Sequence, residues 1–63
     1  MYLIAYLGGS IHAALGYWLE GDLLHYTTLQ GAHNLVSTNL VDVEFSRRLN
    51  RERGVAFELP VTR

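Results

Sequence analysis

Tyr17-Trp18-Leu19-Glu20-Gly21-Asp22-Leu23-Leu24-His25-Tyr26 is the stretch that decides the fold. Two segments rich in aromatic and leucine side chains meet at a Glu-Gly-Asp turn, where glycine supplies the positive φ that a tight hairpin demands. Outward from it, glycine turns recur near every tenth position, with Gly8-Gly9 upstream and Gln30-Gly31-Ala32 downstream. That spacing predicts a β-meander. Three turns join four strands, expected at Tyr2 to Leu7, Ser10 to Leu19, Leu23 to Leu29 and His33 to Thr38.

The period then changes. Val41, Phe45 and Leu49 repeat at intervals of four, which on a helix would form one apolar stripe. Asp42, or Ser37 to Asn39 just upstream, can cap its first amides, and Gly54 followed by Val55 suits a left-handed stop with a hydrophobic clasp. Glu44 with Arg48, and Arg48 with Glu52, are spaced for ion pairs. A closing strand is expected from Val55 to Val61, with Pro60 near its end as on a sheet edge. The fold class read from this pattern is mostly β: a small SH3-like barrel or strongly bent five-stranded meander with one short helix before the last strand. In the first strand Tyr2, Ile4 and Tyr6 would face one side and Leu3, Ala5 and Leu7 the other, so both faces are apolar and both need cover.

Composition says what kind of support such a fold needs. Sixty-three residues form one domain at most, and a chain this short buries only about three-fifths of its unfolded surface. With no cysteine, disulfides and cysteine-based zinc sites are excluded, which leaves association with other chains as the leading support. Hydrophobic residues make up 49% of the chain and charged ones 17%, the latter below the roughly one-quarter usual for soluble domains. From Met1 to Val41 the only charged side chains are Glu20 and Asp22. There is no lysine, the residue that most often blocks open sheet edges, so the edges read as unguarded.

Other function classes are disfavoured. A net charge of −1 provides no diffuse positive field for nucleic acid. The uncharged start from Met1 to Leu19 is broken by Gly8, Gly9, Ser10, His12 and Gly16 and lacks a basic leader, so neither a membrane span nor a signal peptide is expected. Absence of cysteine fits a reducing cytoplasm.

The pattern Ile4-Ala5-Tyr6, Gly9-Ser10-Ile11, Tyr17-Trp18, Leu24-His25-Tyr26, Val41-Asp42 and Leu49-Asn50-Arg51-Glu52-Arg53-Gly54-Val55 resembles small β-meander domains of bacterial hypothetical proteins. The resemblance spans nearly the whole chain and implies an SH3-like barrel, with no catalytic residues to carry over. Those domains usually have a Lys-Asp-Gly type turn where this chain has Leu7-Gly8-Gly9. The apolar tip is what a domain excised or altered to favour assembly would show.

No residue set carries recognisable chemistry. His12, His25 and His33 fall on three successive strands, yet no paired-histidine motif places two ligands on one element, so no metal or other cofactor is expected. Glu20 and Asp22 flank a turn, while Asp42, Glu44 and Glu52 lie on or beside the helix; turn and capping roles account for them. Ser10, Ser37 and Ser46 lack a nucleophile-elbow context, and no catalytic residue is assigned. Arg47, Arg48, Arg51 and Arg53 alternate with Glu44 and Glu52, as on a solvated, internally paired face.

The resulting expectation is a non-enzymatic, homo-oligomerising β module with its charged helix toward solvent. Strand-edge pairing and apolar contact would hold it, through Tyr2, Leu3, Tyr6, Leu7, Trp18, Leu23 and Leu29, with Trp18 as anchor. The alternative is a module that accepts an extended peptide of another protein along an open edge. A small enzyme with a pocket between subunits ranks third.

Overall fold

The structure is a computed structural model that describes residues 1–59. Four antiparallel strands form one sheet in the order β1-β2-β3-β4. They are β1 (Tyr2–Ala5), β2 (Ile11–Glu20), β3 (Leu23–Thr28) and β4 (His33–Ser37), followed by a 3-10 turn (Thr38–Leu40) and helix α1 (Val43–Glu52). The mostly β class, the meander and the single helix agree with the sequence reading. Among the described residues no helix is long and apolar enough to cross a membrane.

The first and third hairpins are built alike. Leu7-Gly8-Gly9 is closed by Tyr6 N–H to Ser10 O (2.8 Å) and Gly9 N–H to Tyr6 O (2.9 Å). Leu29-Gln30-Gly31 is closed by Thr28 N–H to Ala32 O (2.8 Å) and Gly31 N–H to Thr28 O (2.9 Å). In both loops the third residue is a left-handed glycine, with φ of 105° and 89°, a conformation that strains any residue with a Cβ. Leu7 and Leu29 therefore belong to loops rather than to strand ends.

Tyr2, Ile4 and Tyr6 do share one face of β1. On that inner face Ile4, Ala14, Leu24, Tyr26 and Val36 meet Val41, Phe57 and Leu59 in the core, with Tyr2, Tyr6, Tyr17, Leu19 and Val43 packed around it. The expected fifth strand is not a strand over residues 55–59, and Pro60 and Val61 lie outside the described residues. The segment instead crosses beneath the sheet. Phe57 and Leu59 are buried, and the Tyr17 hydroxyl accepts from Glu58 N–H (3.2 Å) and donates to Glu58 O (3.4 Å). Side-chain burial takes the place of a ladder here, so among the described residues the sheet is open rather than a closed barrel.

Helix α1 corrects a second expectation. Asp42 does cap it, its Oδ1 accepting from Phe45 N–H (3.1 Å), and Gly54 at φ 73° ends it, with Val55 N–H reaching back to Asn50 O (2.8 Å). But Val41 precedes the helix, Phe45 and Leu49 are only half-buried, and the residues α1 buries completely are Ser46 and Asn50. The reason lies at the edge of β1. Asn50 Oδ1 accepts from Leu3 N–H (2.8 Å), and its Nδ2 donates to Leu3 O (2.8 Å) and Ser46 O (2.7 Å). Ser46 Oγ accepts from Ala5 N–H (2.8 Å) and donates to Ala5 O (3.4 Å). Val41 bridges Tyr6, Leu7 N–H bonds Leu40 O (2.8 Å), and Asp42 N–H bonds Ala5 O (2.8 Å). The β1 edge, which the sequence leaves unguarded, is thus sealed by side chains and by the strap leading into the helix.

Removing the seal should be costly. Asn50→Ala orphans the buried amide groups of Leu3 and is expected to destabilise by about 2–4 kcal/mol, out of a total of about 3–9 kcal/mol for a domain of this size. Ser46→Ala should cost about 1–2 kcal/mol and exposed Arg48→Ala less than about 0.5 kcal/mol. Urea unfolding checks the order, and amide exchange at Leu3 and Ala5 should accelerate in Asn50→Ala.

Candidate functional site

The outer face of the sheet is set by parity. Cross-strand partners share a face, so Ile11 beside Ala5, Trp18 beside His25, His25 beside Leu35, and Glu20 beside Leu23 all point outward. Ile11, Trp18, Leu23 and Leu35 are between 38% and 53% exposed, and Trp18, Leu23 and Leu35 are diagonal neighbours across β2, β3 and β4. Leu15, at a register shift between Ala14 and Gly16, is also exposed.

At the centre of that face lies a cluster of aromatic rings. His25 Nδ1 and His33 Nε2 are 2.8 Å apart, in rings inclined by only 18° with centroids 5.0 Å apart, so the two imidazoles meet edge to edge. Trp18 stacks on both, 5.0 Å from His25 at 12° and 5.4 Å from His33 at 20°, and roofs their hydrogen bond. Glu20 Oε1 stands 3.0 Å from His25 Nε2 but off the line of an N–H bond, so that buried nitrogen has a carboxylate neighbour without a directed hydrogen bond. His25 is buried whereas His33 is exposed.

His12 does not join them. It lies on the inner side, 4.3 Å from the Tyr6 ring, with Nε2 against Ser10 Oγ (3.1 Å). Beside it the Tyr6 and Tyr26 hydroxyls bond each other at 2.8 Å. Burial, then the bond to Tyr26 and its charge, push the Tyr6 hydroxyl well above the ordinary tyrosine range. Three histidines on successive strands thus divide two and one, and among the described residues no group of three or more metal-ligating side chains converges.

The third hairpin also leaves an edge. Antiparallel ladders alternate bonded and non-bonded pairs. With bonds at Thr28–Ala32 and from Thr38 N–H to Asp22 O (2.9 Å), the bonded pairs between are Tyr26–Asn34 and Leu24–Val36. The amide groups of His33, Leu35 and Ser37 therefore point away from β3, and no neighbouring strand meets them among the described residues. No residue from Leu23 to Val41 is charged.

The arginine face is mixed, as the sequence implies. Arg47 pairs with Glu44 (2.8 Å, three residues earlier) and approaches Glu58 (3.8 Å), Arg48 lies over Phe45, and Arg53 donates to Met1 O (3.1 Å). Glu44–Arg48 and Arg48–Glu52 do not pair among the described residues. A shallow groove there is lined by Asp42, Glu44, Phe45, Arg48 and Arg51, acids and bases together, which does not favour phosphate.

Of the residues expected at an interface, Leu7, Trp18, Leu23 and Leu29 are exposed, Leu3 is half-buried, and Tyr2 and Tyr6 pack against the chain's own core. Ile11, Leu15, Leu35 and Leu40 are exposed apolar residues that the sequence reading passed over. Trp18 facing His25 follows from counting outward from the two-residue turn Gly21-Asp22; the His25–His33 contact also needs the next hairpin's loop length. No protein-family model matches the chain, and no curated protein or solved structure matches it.

The tyrosine pair gives a pH signature. Its folded form holds the Tyr6 proton more tightly than the unfolded chain does, so that stability is intact below about pH 10 and is lost as pH rises beyond it. Melting temperatures of the wild type should fall more steeply than those of Tyr6→Phe between about pH 10 and 12, provided each is compared with its own value at pH 8.

Proposed function

We infer that this chain is a non-enzymatic module that associates with its own copies, and that β4 is the strand through which it does so. The carrying observation is the asymmetry of the two sheet edges: β1 is closed by Ser46 and Asn50, while β4 offers the outward amides of His33, Leu35 and Ser37. Natural sheets guard such an edge with lysine, proline, a bulge or inward charge. β4, His-Asn-Leu-Val-Ser, has none of these.

The strand is also self-complementary. Paired antiparallel about a twofold axis at Leu35, two copies would set Leu35 against the partner's Leu35 and His33 against the partner's Ser37, with about six backbone hydrogen bonds. The apolar strip of Trp18, Leu23 and Leu35 would then run on across the junction, and α1 would stay in solvent. One open edge per copy ends the assembly at a dimer. The bent meander with its 3-10 turn, Thr38–Leu40, supports an SH3-like reading of the fold.

An interface of this small size favours a Kd of about 1–100 µM. Sedimentation or light scattering from about 1 to 500 µM should show a mass rising from 7.1 kDa to twice that value. Leu35→Lys, at an exposed position, should remain folded and monomeric throughout. A wild type that stays at 7.1 kDa at every concentration would defeat self-association, and would favour the same edge taking an extended segment of another protein.

A further inference from the structure

We propose that His25 and His33 form a two-nitrogen site for a divalent transition ion, Cu2+ first and Ni2+ next, roofed by Trp18 and backed by Glu20. The site is complete within one chain and does not depend on association.

Spacing is the first argument. Two nitrogens about 2.0–2.1 Å from one ion stand about 2.9 Å apart when they occupy adjacent corners of a square-planar or octahedral shell, and about 3.4 Å apart in a tetrahedral one. His25 Nδ1 and His33 Nε2 are already 2.8 Å apart. The spacing therefore matches the square-planar preference of Cu2+ and Ni2+ better than that of Zn2+, once His33 turns its lone pair off the N···N line toward the ion. Affinity order among divalent ions, which peaks at copper, points the same way.

The buried ring is supported from two sides. His25 is 8% exposed, stacked under Trp18, with its far nitrogen 3.0 Å from Glu20. A carboxylate behind a ligating histidine fixes the tautomer that leaves the near nitrogen's lone pair free and raises its basicity. Here that carboxylate selects Nε2–H on His25 and so presents Nδ1 to the ion. In the metal-free chain Nε2 is buried without a directed partner, so a small turn of the ring toward Glu20 on binding would satisfy it.

The pair is also accessible. His33 is exposed and is the ring able to swing. As His33 swings and the ion binds beside the N···N line, about 2.0–2.1 Å from both nitrogens, the bridging proton moves from Nε2 to Nδ1 of His33 and both imidazoles stay neutral. Among the described residues no third ligand converges, which leaves the remaining coordination positions to water. Two ligands and an open shell set the expected affinity in the micromolar range.

Titration of CuCl2 into the chain, followed by the fluorescence of Trp18, the only tryptophan, tests this. Saturable quenching at one ion per chain is expected, with half-saturation at about 1–50 µM. His33→Ala should weaken it at least about tenfold, Glu20→Gln several-fold, while His12→Ala, on the opposite face, should leave it within about twofold. Equal quenching in wild type and His33→Ala, or loss in His12→Ala, would overturn the site. An independent measurement avoids any variant: substoichiometric Cu2+ should broaden the ring proton resonances of His25 and His33 before that of His12. Broadening of all three together, or of His12 first, would also defeat it.

Discussion

The structure depends on how the outer amides of β1 are satisfied. Leu3 and Ala5 each turn an N–H and a C=O away from β2, and among the described residues no neighbouring strand meets them. Asn50 supplies one acceptor and one donor to Leu3 at 2.8 Å, the pairing that a strand residue would have made, and Ser46 does the same for Ala5 with one hydroxyl. An apolar helix face would leave three backbone groups unpaired, Leu3 N–H, Leu3 O and Ala5 N–H, since Ala5 O keeps its bond from Asp42 N–H, and each would cost about 1–3 kcal/mol. That penalty outweighs what Val41, Phe45 and Leu49 would gain as a packed stripe. The helix is therefore held at an edge by polar side chains.

A helix used at an edge cannot cover a face, and the exposed outer surface follows from that. The inner face is served by Val41, Phe57 and Leu59. The outer one is left with Ile11, Trp18, Leu23 and Leu35 half-open to water. Burying the remaining half of a leucine side chain is worth about 1 kcal/mol, so a second copy laid against this surface gains most where several such residues are contiguous. Trp18, Leu23 and Leu35 adjoin one another toward β4, where among the described residues the backbone edge is also unpaired. Apolar area and hydrogen-bonding edge coincide in one place, which would give the proposed association both its drive and its register.

Much of the scaffold was legible in the sequence because its signals are local. Glycine turns at regular spacing announce the hairpins, Asp42 and Gly54 bracket the helix, and alternation in β1 is correct. What escaped is non-local. Ser46 and Asn50 have the spacing of a helix face, but polar residues at that spacing ordinarily mean solvent, and only the proximity of β1 reverses their meaning. Val55 to Leu59 has strand-like composition, yet the open edge it would pair with is already occupied, so Phe57 and Leu59 contribute burial without a ladder. The two three-residue loops shorten the strands and carry Leu7 and Leu29 out to the tips.

Parity explains why three chemically identical histidines have separate environments. His12 pairs with Ile4, so it faces the core side and rests on Tyr6; His25 pairs with Trp18, so it faces outward. The register shift between Ala14 and Gly16 lies between these two pairings, and it resets which side of β2 each later residue occupies. His33 joins His25 because the three-residue loop Leu29-Gln30-Gly31 sets Thr27 opposite His33, one step diagonal from His25. With that three-residue loop kept, a residue inserted between Gly31 and His33 would turn His33 to the other face, and the imidazole pair would no longer exist. The outer face thus owes its chemistry to loop length as much as to the residues it displays, and the same counting that brings His33 under Trp18 also sets Leu35 beside His25 at the open edge.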